Sequence, residues 1–517
     1  MKILLVGSGG REHAIAWKLA QNKNVSKIFV APGNGGTALE NKCENINITD
    51  LNELVEFAKE NNIDFTFVGP EEPLTNGITD KFKKVGLKCF GPDARAAQLE
   101  GSKTFAKEFM KKYGVKTAQY EIFTDYNLAK EYLQKCDYPI VIKADGLASG
   151  KGVVIARTRE QAMNTIDDFM ILDIFKGAGK SIVIEEFLEG IEASILSITD
   201  GKTLIPFISG KDHKQIFDGD KGPNTGGMGV IAPNPFVTED VMKDFEENIV
   251  ANTLRGIEEE EFDFKGIIFF GLMITKKGTY LLEYNVRMGD PETQSILVLM
   301  ESDLVDLVQA ALDSKLDEVE VKWYEGSCVN IVLASKGYPE KFEKGFKITI
   351  EEGINNKVFL AGAQLVNGEL ITSGGRVLSL VGKGKTIEEA RKEAYKLTNM
   401  VDFKGKYLFV EFSASWCGWC KLEIPYLKTV YENTKGKNFV MFTVNMDEDR
   451  EKWEKDVKEY NLPWPVVSDL KAYSGPVAQN YHVKGIPMIY LIDPEGKIMA
   501  RDLRREPMIE YINKLFK

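Results

Sequence analysis

Apolar and amphipathic segments alternate along the opening part of the chain. The apolar run KILLVG predicts a buried parallel strand, and SGGREHAIAWKLAQ predicts a turn into a helix. Apolar positions between Leu51 and Ala58 recur at helical spacing, and FTFVGP and KCFGP predict further strands. Strands that alternate with helices predict an open, parallel α/β sheet over residues 1–100.

Glycine-rich loops follow several of these predicted strands. Gly7, Gly9 and Gly10 imitate the dinucleotide-binding fingerprint, but Glu12 holds the third glycine position and the second strand lacks an acid at its end. A nicotinamide site is therefore not expected. A glycine turn at a helix N-terminus still suits a phosphate. The loops APGNGG and GPEEP would end at the same sheet edge, which favours a ligand crevice, with plain turn chemistry as the alternative.

Apolar strands and charged, glycine-rich loops mark residues 101–320. Lys143 lies in the apolar run PIVIK, where a lysine is costly unless it meets an anion. The loop from Gly146 to Gly152 suits a flap over a polyphosphate, although it is not a Walker A loop. SIVIEEFLEG predicts a strand ending in acids, which suit either a nucleoside or a soluble sheet edge. We interpret the polar segment 211–229 as an active-site loop.

The stretch LLEYNVRMGDPETQ carries the densest set of candidate site residues. Alternate residues of a strand point to one side, so Glu283, Asn285 and Arg287 are predicted to share a face. Mg²⁺ prefers oxygen ligands and is usually held by few protein groups plus phosphates. An arginine can grip an anion with two hydrogen bonds. The stretch therefore predicts a metal and phosphate site, with a solvated edge strand as the alternative.

Composition narrows the class of protein. A length of 517 residues suggests three or four domains, and a net charge of −11 argues against a general binder of nucleic acid or membrane surfaces. The sequence holds no apolar run of the roughly 18 residues that a membrane helix needs. We find no signal peptide and expect a cytoplasmic protein. The six cysteines do not form a disulfide framework in a chain this long.

The motifs occur in a specific order, which is Lys103, IKADGLASGKGV, IVIEEFLEG, GPNTGGMG and EYNVRMGDPETQ. In this order they resemble the ATP-grasp superfamily, and specifically the phosphoribosylamine–glycine ligase family, whose N-terminal pattern GSGGREHA, APGNGGTA and VGPEEPL also matches. The similarity runs from Met1 to about Asp402. It implies that ATP, glycine and 5-phosphoribosylamine give ADP, phosphate and glycinamide ribonucleotide through a glycyl phosphate, a step of purine biosynthesis.

The resemblance also implies roles for individual residues. Those expected to bind ATP are Lys103, Lys143, Gly150, Lys151, Gly152, Glu185, Glu186, Phe187, Leu188 and Glu192. Glu185, with the backbone of Phe187 and Leu188, is expected at the adenine, and Glu192 at the ribose. Glu283 and Asn285 are expected to hold Mg²⁺ or Mn²⁺. Those expected around the substrates are Gly9, Gly10, Asn34, Glu71, Asp212 and Lys214, with Arg287 and Asp290 as catalytic residues. His13 is expected either to face the substrate or to pack its helix.

Residues 321–400 resemble the small, mostly β C-terminal domain of that family. Asn367-Gly368 predicts a hairpin turn, and Thr386 with Glu389 predicts a capping box for a closing helix. The family normally ends soon afterwards with an arginine and Asp-Ile-Gly. This chain departs there and continues as YLFVEFSASWCGWCK.

The last segment, 401–517, predicts a strand, a C-x-x-C turn into a helix, and further strands. The first sulfur of such a turn lies at a helix N-terminus, which lowers its pKa, and the second resolves mixed disulfides. A zinc site is the alternative, but it lacks nearby ligands. The segment resembles a thioredoxin-fold oxidoreductase, which implies Cys417 as nucleophile, Cys420 as resolving thiol, Glu411 as proton carrier and Pro487 as the adjacent cis-proline. A thiol or disulfide protein partner is implied as well.

Our first hypothesis is a ligase with an appended redox module, built from domains at 1–100, 101–320, 321–400 and 401–517. The fold class is multidomain α/β. A redox protein with an inactive or regulatory ATP-grasp part is the second hypothesis, and another ATP-grasp ligase or carboxylase is the third.

Overall fold

A computed structural model describes residues 1–146, 152–175, 177–219, 221–351, 353–354, 357–402, 405–435, 437–494 and 496–516. The chain forms two compact units, Met1–Asp402 and Phe403–Lys517. Among the described residues, no helix has both the length and the apolar character required to cross a membrane.

The N-terminal part of the first unit alternates strands with helices, as predicted. Its elements are β1 (Lys2–Gly7), α1 (Gly10–Ala20), β2 (Lys27–Pro32), β3 (Cys43–Asn45), α2 (Leu51–Glu60), β4 (Phe65–Val68), α3 (Glu71–Thr75), α4 (Ile78–Lys84) and β5 (Cys89–Pro92). The strands pair in parallel in the order β5-β4-β1-β2-β3. Alternate residues of β1 enter two hydrophobic cores, with Ile3 and Leu5 on one face and Leu4 and Val6 on the other. The sheet is therefore buried on both faces, as parallel sheets are.

The next part of the chain holds two sheets. Its first elements are α5 (Gln98–Gly101), α6 (Lys103–Tyr113), β6 (Tyr120–Phe123), α7 (Tyr126–Lys135), β7 (Ile140–Ala144), β8 (Val153–Ala156), α8 (Arg159–Ile166), β9 (Ile182–Glu186), β10 (Ile191–Thr199) and β11 (Leu204–Pro206). Its later elements are β12 (Lys211–Asp212), β13 (Gln215–Phe217), β14 (Lys221–Asn224), β15 (Gly229–Ala232), α9 (Glu239–Phe245), α10 (Ala251–Glu259), β16 (Phe264–Thr275), β17 (Gly278–Asn285), α11 (Glu292–Leu299) and α12 (Leu304–Leu312).

Strand β16 joins the N-terminal sheet to an antiparallel extension. Its first two residues pair with β5, and the rest of the strand pairs with β10 and β17. The sheet therefore continues as β11-β10-β16-β5. A separate antiparallel sheet has the order β6-β9-β7-β8, and α7 and α8 cover one of its faces. The hydroxyl of Ser102 accepts a hydrogen bond from the N–H of Phe105 at 3.1 Å and caps α6.

The end of the first unit is mostly β. Its elements are β18 (Ser327–Ala334), β19 (Thr349–Ile350), β20 (Val358–Leu360), β21 (Ala363–Val366), β22 (Glu369–Thr372), β23 (Arg376–Gly384), α13 (Ile387–Leu397) and β24 (Val401–Asp402). An antiparallel sheet runs β12-β15-β18-β23-β20. Asn367 and Gly368 form the β21–β22 turn with φ of 51° and 82°, which confirms the predicted hairpin.

The second unit has the sheet order β27-β26-β25-β28-β29, with the first three strands parallel and the last two antiparallel. Its elements are β25 (Tyr407–Ser413), α14 (Gly418–Thr434), β26 (Phe439–Asn445), α15 (Arg450–Tyr460), β27 (Val466–Val467), α16 (Pro476–Asn480), β28 (Met488–Ile492), β29 (Ile498–Arg501) and α17 (Arg505–Lys514). Helices α14 and α17 pack on the face that contains Phe409.

Candidate active site

Strand β17 presents the predicted metal-binding face. In its register with β16, Glu283 lies opposite Gly271 and Asn285 opposite Phe269, whereas Leu282 has no partner because the ladder shifts there. A Cβ atom on Gly271 would lie 3.2 Å from Cγ of Glu283, so the glycine leaves room for this side chain. Such bulges re-aim side chains beside active sites.

The charges of four cationic side chains act on the carboxylate of Glu283. Burial alone would raise the pKa of this carboxyl, but Lys214, Lys143, Lys103 and Arg287 hold it below its usual value. The structure therefore brings the two distant lysines predicted for ATP to the carboxylate predicted for the metal. Their shared surroundings are suited to phosphate groups and a divalent cation.

Backbone carbonyls orient both of these lysines. The ammonium of Lys103 donates to the carbonyl of Gly146 at 2.9 Å, and that of Lys143 donates to the carbonyl of Leu282 at 3.1 Å. Burial lowers the pKa of Lys103, and the nearby charge of Lys143 adds to the effect while Glu283 opposes it.

The predicted flap lies between β7 and β8. Gly150 and Lys151 lie outside the described residues. Gly152 is buried, and its carbonyl accepts a hydrogen bond from the N–H of Ala144 at 2.8 Å. This bond closes the base of the loop at the end of β7.

The carboxylate of Glu185 lies between two lysines. Its Oε2 is 3.0 Å from Nζ of Lys143, and its Oε1 is 3.2 Å from Nζ of Lys107. Lys107 also donates to the hydroxyl of Thr117 at 2.7 Å. Burial lowers the pKa of Lys107 to about 8, although Glu185 opposes this effect. Glu185 is only 3% exposed, so the structure shows it as a partner of two lysines, and its contact with adenine stays a prediction.

The other nucleotide candidates follow Glu185 along the chain. Glu186 accepts a hydrogen bond from the N–H of Gln119 at 2.8 Å, and the half-buried Phe187 and Leu188 come directly after β9. Glu192 lies on β10, where its carboxylate is 2.9 Å from Nζ of Lys214. Although burial opposes it, the charge of Glu192 raises the pKa of Lys214.

Arg287 joins three parts of the site. Its Nη2 lies 2.6 Å from Oε1 of Glu100, its Nε lies 3.2 Å from Oε2 of Glu71, and Nη2 donates to the amide oxygen of Asn285 at 3.1 Å. Glu100 also accepts the N–H of Val286 at 2.7 Å. Burial raises the pKa of Glu100 to about 7 against the opposing charge of Arg287.

Asp290 lies against the glycine turn at the start of α1. Its carboxylate accepts a hydrogen bond from Gln294 at 2.8 Å and is 3.2 Å from Nη2 of Arg376. A Cβ on Gly9 would be 3.3 Å from Oδ2 of Asp290, and a Cβ on Gly10 would be 2.7 Å from Nε2 of Gln294. The GDPE turn and the predicted phosphate-binding turn are therefore neighbours.

Asp212 and Glu292 form an acidic pair beside this turn. Burial raises the pKa of Asp212, and the charge of Glu292 raises it further. Burial also raises the pKa of Glu292, whose Oε1 accepts a hydrogen bond from the hydroxyl of Ser194 at 3.1 Å.

Asn34 uses its whole side chain to hold backbone segments together. Its amide nitrogen donates to the carbonyls of Ser8, Gly9 and Leu360 at 3.0, 3.0 and 2.9 Å. Its amide oxygen accepts from the N–H groups of Gly36 and Thr37. Asn34 therefore shapes the glycine turn, and its contact with a substrate stays a prediction.

His13 packs helix α1 rather than lining an open surface. Its Nδ1 accepts a hydrogen bond from the N–H of Leu360 at 2.8 Å, its Nε2 is 3.6 Å from Glu40, and its ring meets that of Phe359 edge-on. Of the two roles expected for His13, the structure favours packing.

The second unit carries a disulfide between Cys417 and Cys420. Cys417 is the N-cap of α14, and its sulfur accepts a hydrogen bond from the N–H of Cys420 at 3.1 Å. Both cysteines are buried, whereas Trp416 and Trp419 beside them are 59% and 70% exposed. The arrangement matches the predicted position of the first sulfur at a helix N-terminus.

Two predicted supporting residues lie in the same fold. The peptide bond between Ile486 and Pro487 is cis, and Ile486 packs in the cluster that contains both cysteines. Glu411 is 2% exposed, and its carboxyl accepts a hydrogen bond from the hydroxyl of Thr443 at 2.7 Å. Burial raises the pKa of Glu411 to about 7.

Sequence reasoning missed Lys107, Glu100 and Arg376. Lys107 has a local signal, because a spacing of four residues places it on the same face of α6 as Lys103. Glu100 and Arg376 have none, since their partners are distant in sequence.

Family models match the chain in four successive regions. Three are described as the N, ATP-grasp (A) and C domains of phosphoribosylglycinamide synthetase, and they match residues 1–100, 101–293 and 328–408. The fourth is described as the AhpC/TSA family and matches residues 385–501. The second unit accordingly has a thioredoxin-like fold.

Curated relatives match this chain over about four fifths of its length. A phosphoribosylamine–glycine ligase of Clostridium acetobutylicum is 62% identical over 407 residues, which is 79% of this chain and 98% of the relative. The chain belongs to the phosphoribosylamine–glycine ligase family. A ligase of the same name from Fusobacterium nucleatum is 51% identical over 412 residues, with 79% and 97% covered.

A solved phosphoribosylamine–glycine ligase of Thermotoga maritima matches with a TM-score of 0.69 and 37% identity, covering 78% of this chain and 97% of that one. A biotin carboxylase of Campylobacter jejuni matches with a TM-score of 0.61 at 13% identity, covering 78% and 91%, which shows a shared fold only.

Membership of the phosphoribosylamine–glycine ligase family implies ATP and a divalent metal. The donors on β17 fit such a metal, because Glu283 offers an ionised carboxylate and Asn285 an amide oxygen, both hard ligands. Among the described residues, no three acidic, histidine or cysteine side chains form a metal cage. A metal held by few protein groups and by phosphates is consistent with both facts.

Proposed function

We propose that the first unit ligates glycine to 5-phosphoribosylamine, giving glycinamide ribonucleotide, ADP and phosphate. The observation that carries this proposal is the position of Lys143, which donates to the carbonyl of Leu282 beside Glu283, together with the charges of Lys103 and Lys214 that act on the Glu283 carboxylate. The same motif continues to Asp290, which lies against the glycine turn of α1. One stretch of chain thus contributes Glu283 to the proposed nucleotide-binding half of the site and Asp290 to the proposed acceptor half, which would hold the sugar phosphate and glycine.

The reaction has two balanced steps. A carboxylate oxygen of glycine attacks the γ-phosphorus of ATP, and ADP leaves, which gives glycyl phosphate. The sugar amine then attacks the carbonyl carbon, phosphate leaves, and the amine nitrogen loses a proton. Both steps depend on positioning and on neutralising charge.

The cations would neutralise the charge that develops on phosphate. We assign Lys103 and Lys143 to the ATP phosphates and Arg287 to the transferred phosphoryl group. The flap with Gly150, Lys151 and Gly152 would cover the phosphates. Glu185, Glu186, Phe187 and Leu188 remain the candidates for adenine, and Glu192 for ribose.

The acceptor half would hold the sugar and the amino acid. The N–H groups after Gly9 open α1, and a helix N-terminus suits the 5-phosphate. Although burial opposes it, Arg376 and Arg11 hold the pKa of Asp290 low, so this catalytic candidate stays ionised at neutral pH and attracts the amine. The substrate-facing candidates are Gly10, Asn34, Glu71, Asp212 and Lys214.

The metal is proposed to be Mg²⁺ or Mn²⁺, held by Glu283, Asn285 and the phosphates. Bound there, it would neutralise phosphate charge during transfer.

Phosphate release tests the ligase proposal. We expect release with ATP, glycine and 5-phosphoribosylamine together, and little release when either substrate is replaced by another acid or amine. The absence of release with every pair would contradict the proposal.

We further propose that the second unit exchanges disulfides with a protein partner. The Cys417 thiolate would attack a partner disulfide, and the Cys420 thiolate would then attack Cys417, giving the Cys417–Cys420 disulfide and a partner dithiol. Glu411 would carry the proton, and Pro487 would line the approach.

Insulin reduction with dithiothreitol tests this step. Cys417→Ser should abolish the catalysed rate, and Cys420→Ser should trap the partner as a mixed disulfide. Unchanged reduction by Cys417→Ser would contradict the assignment of the nucleophile.

An alternative is a redox protein whose ATP-grasp part is inactive or regulatory. The assembled lysines and Glu283 favour an active ligase. On the basis of the ligase assignment we propose a cytoplasmic location.

A further inference from the structure

The guanidinium of Arg376, at the start of β23, contacts two segments that are distant in sequence. Its Nη1 donates to the carbonyl of Gly226 at 2.6 Å and to the carbonyl of Asp290 at 2.8 Å, and its Nη2 lies 3.2 Å from the Asp290 carboxylate. Nη1 also reaches the carbonyl of Gly227 at 3.5 Å. One side chain of the small β region therefore connects the active-site loop to the GDPE turn.

Two glycines of the loop make close approaches, Gly226 to Arg376 and Gly227 to Pro291. A Cβ on Gly226 would lie 2.9 Å from Cζ of Arg376, and a Cβ on Gly227 would lie 2.4 Å from Cδ of Pro291. Gly227 has φ of +109°, which disfavours other residues. The N–H of Gly226 donates to the hydroxyl of Tyr338 at 3.0 Å, so the segment is held from a second side by the same β region.

Asp290 is fixed on two sides. Gln294 donates to Oδ1, and Arg376 lies against Oδ2, the oxygen that faces Gly9. The direction of this carboxylate toward the glycine turn therefore depends on Arg376. The side chain of Arg376 is 22% exposed, so these bonds form in a largely desolvated place where they are strong.

We propose that Arg376 is a positioning residue for the acceptor half of the ligase site. It holds the Asp290 carboxylate and the Gly226–Gly227 segment in the geometry in which the sugar amine meets glycyl phosphate. It does not contact the nucleotide candidates Lys103 and Lys143, so its effect falls on the second step. This inference rests on the ligase function proposed above.

Steady-state kinetics of Arg376→Ala and Arg376→Lys in the full chain test the inference. A misplacement of about 1 Å at a reacting centre costs about 10²-fold, so we expect a fall of that order in kcat/KM for 5-phosphoribosylamine. KM for ATP should stay within about twofold, because the ATP lysines keep their own partners. Arg376→Lys should retain only part of the activity, because the ammonium keeps the positive charge but cannot form the paired hydrogen bonds of the guanidinium.

Chemical rescue separates positioning from a general structural role. Methylguanidinium added to Arg376→Ala should restore a measurable part of the lost rate, and it should not change the rate of the control Arg391→Met, whose guanidinium is exposed on α13. If Arg376→Ala does not fold, Arg376→Lys with a native thermal transition decides the question.

Three outcomes have distinct meanings. No product from the wild-type chain would contradict the ligase proposal itself. An active wild type with unchanged kinetics in the folded Arg376 variants would overturn the positioning role. A KM for ATP that rises as much as the KM for 5-phosphoribosylamine would overturn it too, because it would indicate a disturbed fold.

Discussion

Lys107 and Glu185 form an ion pair in which the two side chains are 3% and 2% exposed. The pair joins α6 to the end of β9, and Lys143 contacts the other oxygen of the same carboxylate. Glu185 thus sets the distance between a structural lysine and one proposed to bind phosphate. Lys107, which lies outside the predicted nucleotide-binding stretch, therefore helps to hold Glu185 of that stretch in place.

Replacing Lys107 with Met should destabilise the first unit. The change leaves the buried Oε1 of Glu185 without its cation, and an unsatisfied buried group costs about 1–3 kcal/mol. Lys143 would remain paired with Glu185 and would be held more tightly by it, so KM for ATP should rise as well. Denaturant unfolding and ATP kinetics measure the two effects. The control is Lys111→Met on the same helix, where the side chain is exposed. Equal stability in both variants would contradict this interpretation.

Asn34→Ala should loosen the glycine turn. The change removes the donor to the carbonyls of Ser8, Gly9 and Leu360 and leaves buried groups unsatisfied. We expect a loss of about 3 kcal/mol, since each such group costs about 1–3 kcal/mol. Thermal unfolding measures it, with the exposed Asn41→Ala as control. A loss of activity at full stability would instead point to a direct contact with the substrate.

The stability of the second unit should fall as the pH rises from about 4.5 to about 7. The pKa of Glu411 is about 7 in the folded protein, against an ordinary value of 4.5. Between these values the unfolded chain releases the proton that the folded unit retains, so the stabilisation is complete below 4.5 and is lost as the pH passes 7. The total change is about 3 kcal/mol.

Hydrogen exchange of the β25 peptide in the full chain follows this change without interference from the first unit. Glu411→Gln should remove most of the dependence, whereas the exposed Glu448→Gln should leave it intact. The same slope in both variants would exclude Glu411 as its source.

Metal removal should stop the ligase reaction. Chelation by EDTA should abolish phosphate release, and excess Mg²⁺ or Mn²⁺ should restore it. Glu283→Gln keeps the shape of the side chain but loses the charge, so we expect a drop of about 10²-fold and a higher metal requirement. The exposed Glu301→Gln serves as control. Full activity of Glu283→Gln at low Mg²⁺ would place the metal elsewhere.

Sequence patterns predicted those features that depend on interactions between residues close together in the chain. The open parallel sheet follows from alternating apolar runs and helices, and the shared face of Glu283 and Asn285 follows from the period of a strand. The N-cap position of Cys417 follows from the turn into α14 in the same way. Each of these depends on neighbours within a few residues.

Contacts across long stretches of chain could not be predicted in this way. Arg376 reaches Asp290 from 86 residues away, and most of the ATP-binding region lies between Glu100 and Arg287 in the sequence. Asn34 shows a different limit, because an asparagine in a loop at a strand end can either contact a ligand or shape the loop. The sequence pattern is the same for both.

Strand β16 is shared between the N-terminal sheet and the antiparallel sheet that follows it. Phe264 pairs with Pro92 and Lys265 with Gly91, and the N–H of Asp93 donates to the carbonyl of Asp263 at 2.9 Å. A fragment ending near residue 100 would therefore leave the edge of β5 bare, and bare edges recruit other chains. A chimaera that takes this fragment from a relative should fold only when β16 comes from the same relative. The unit that folds together is therefore discontinuous in sequence.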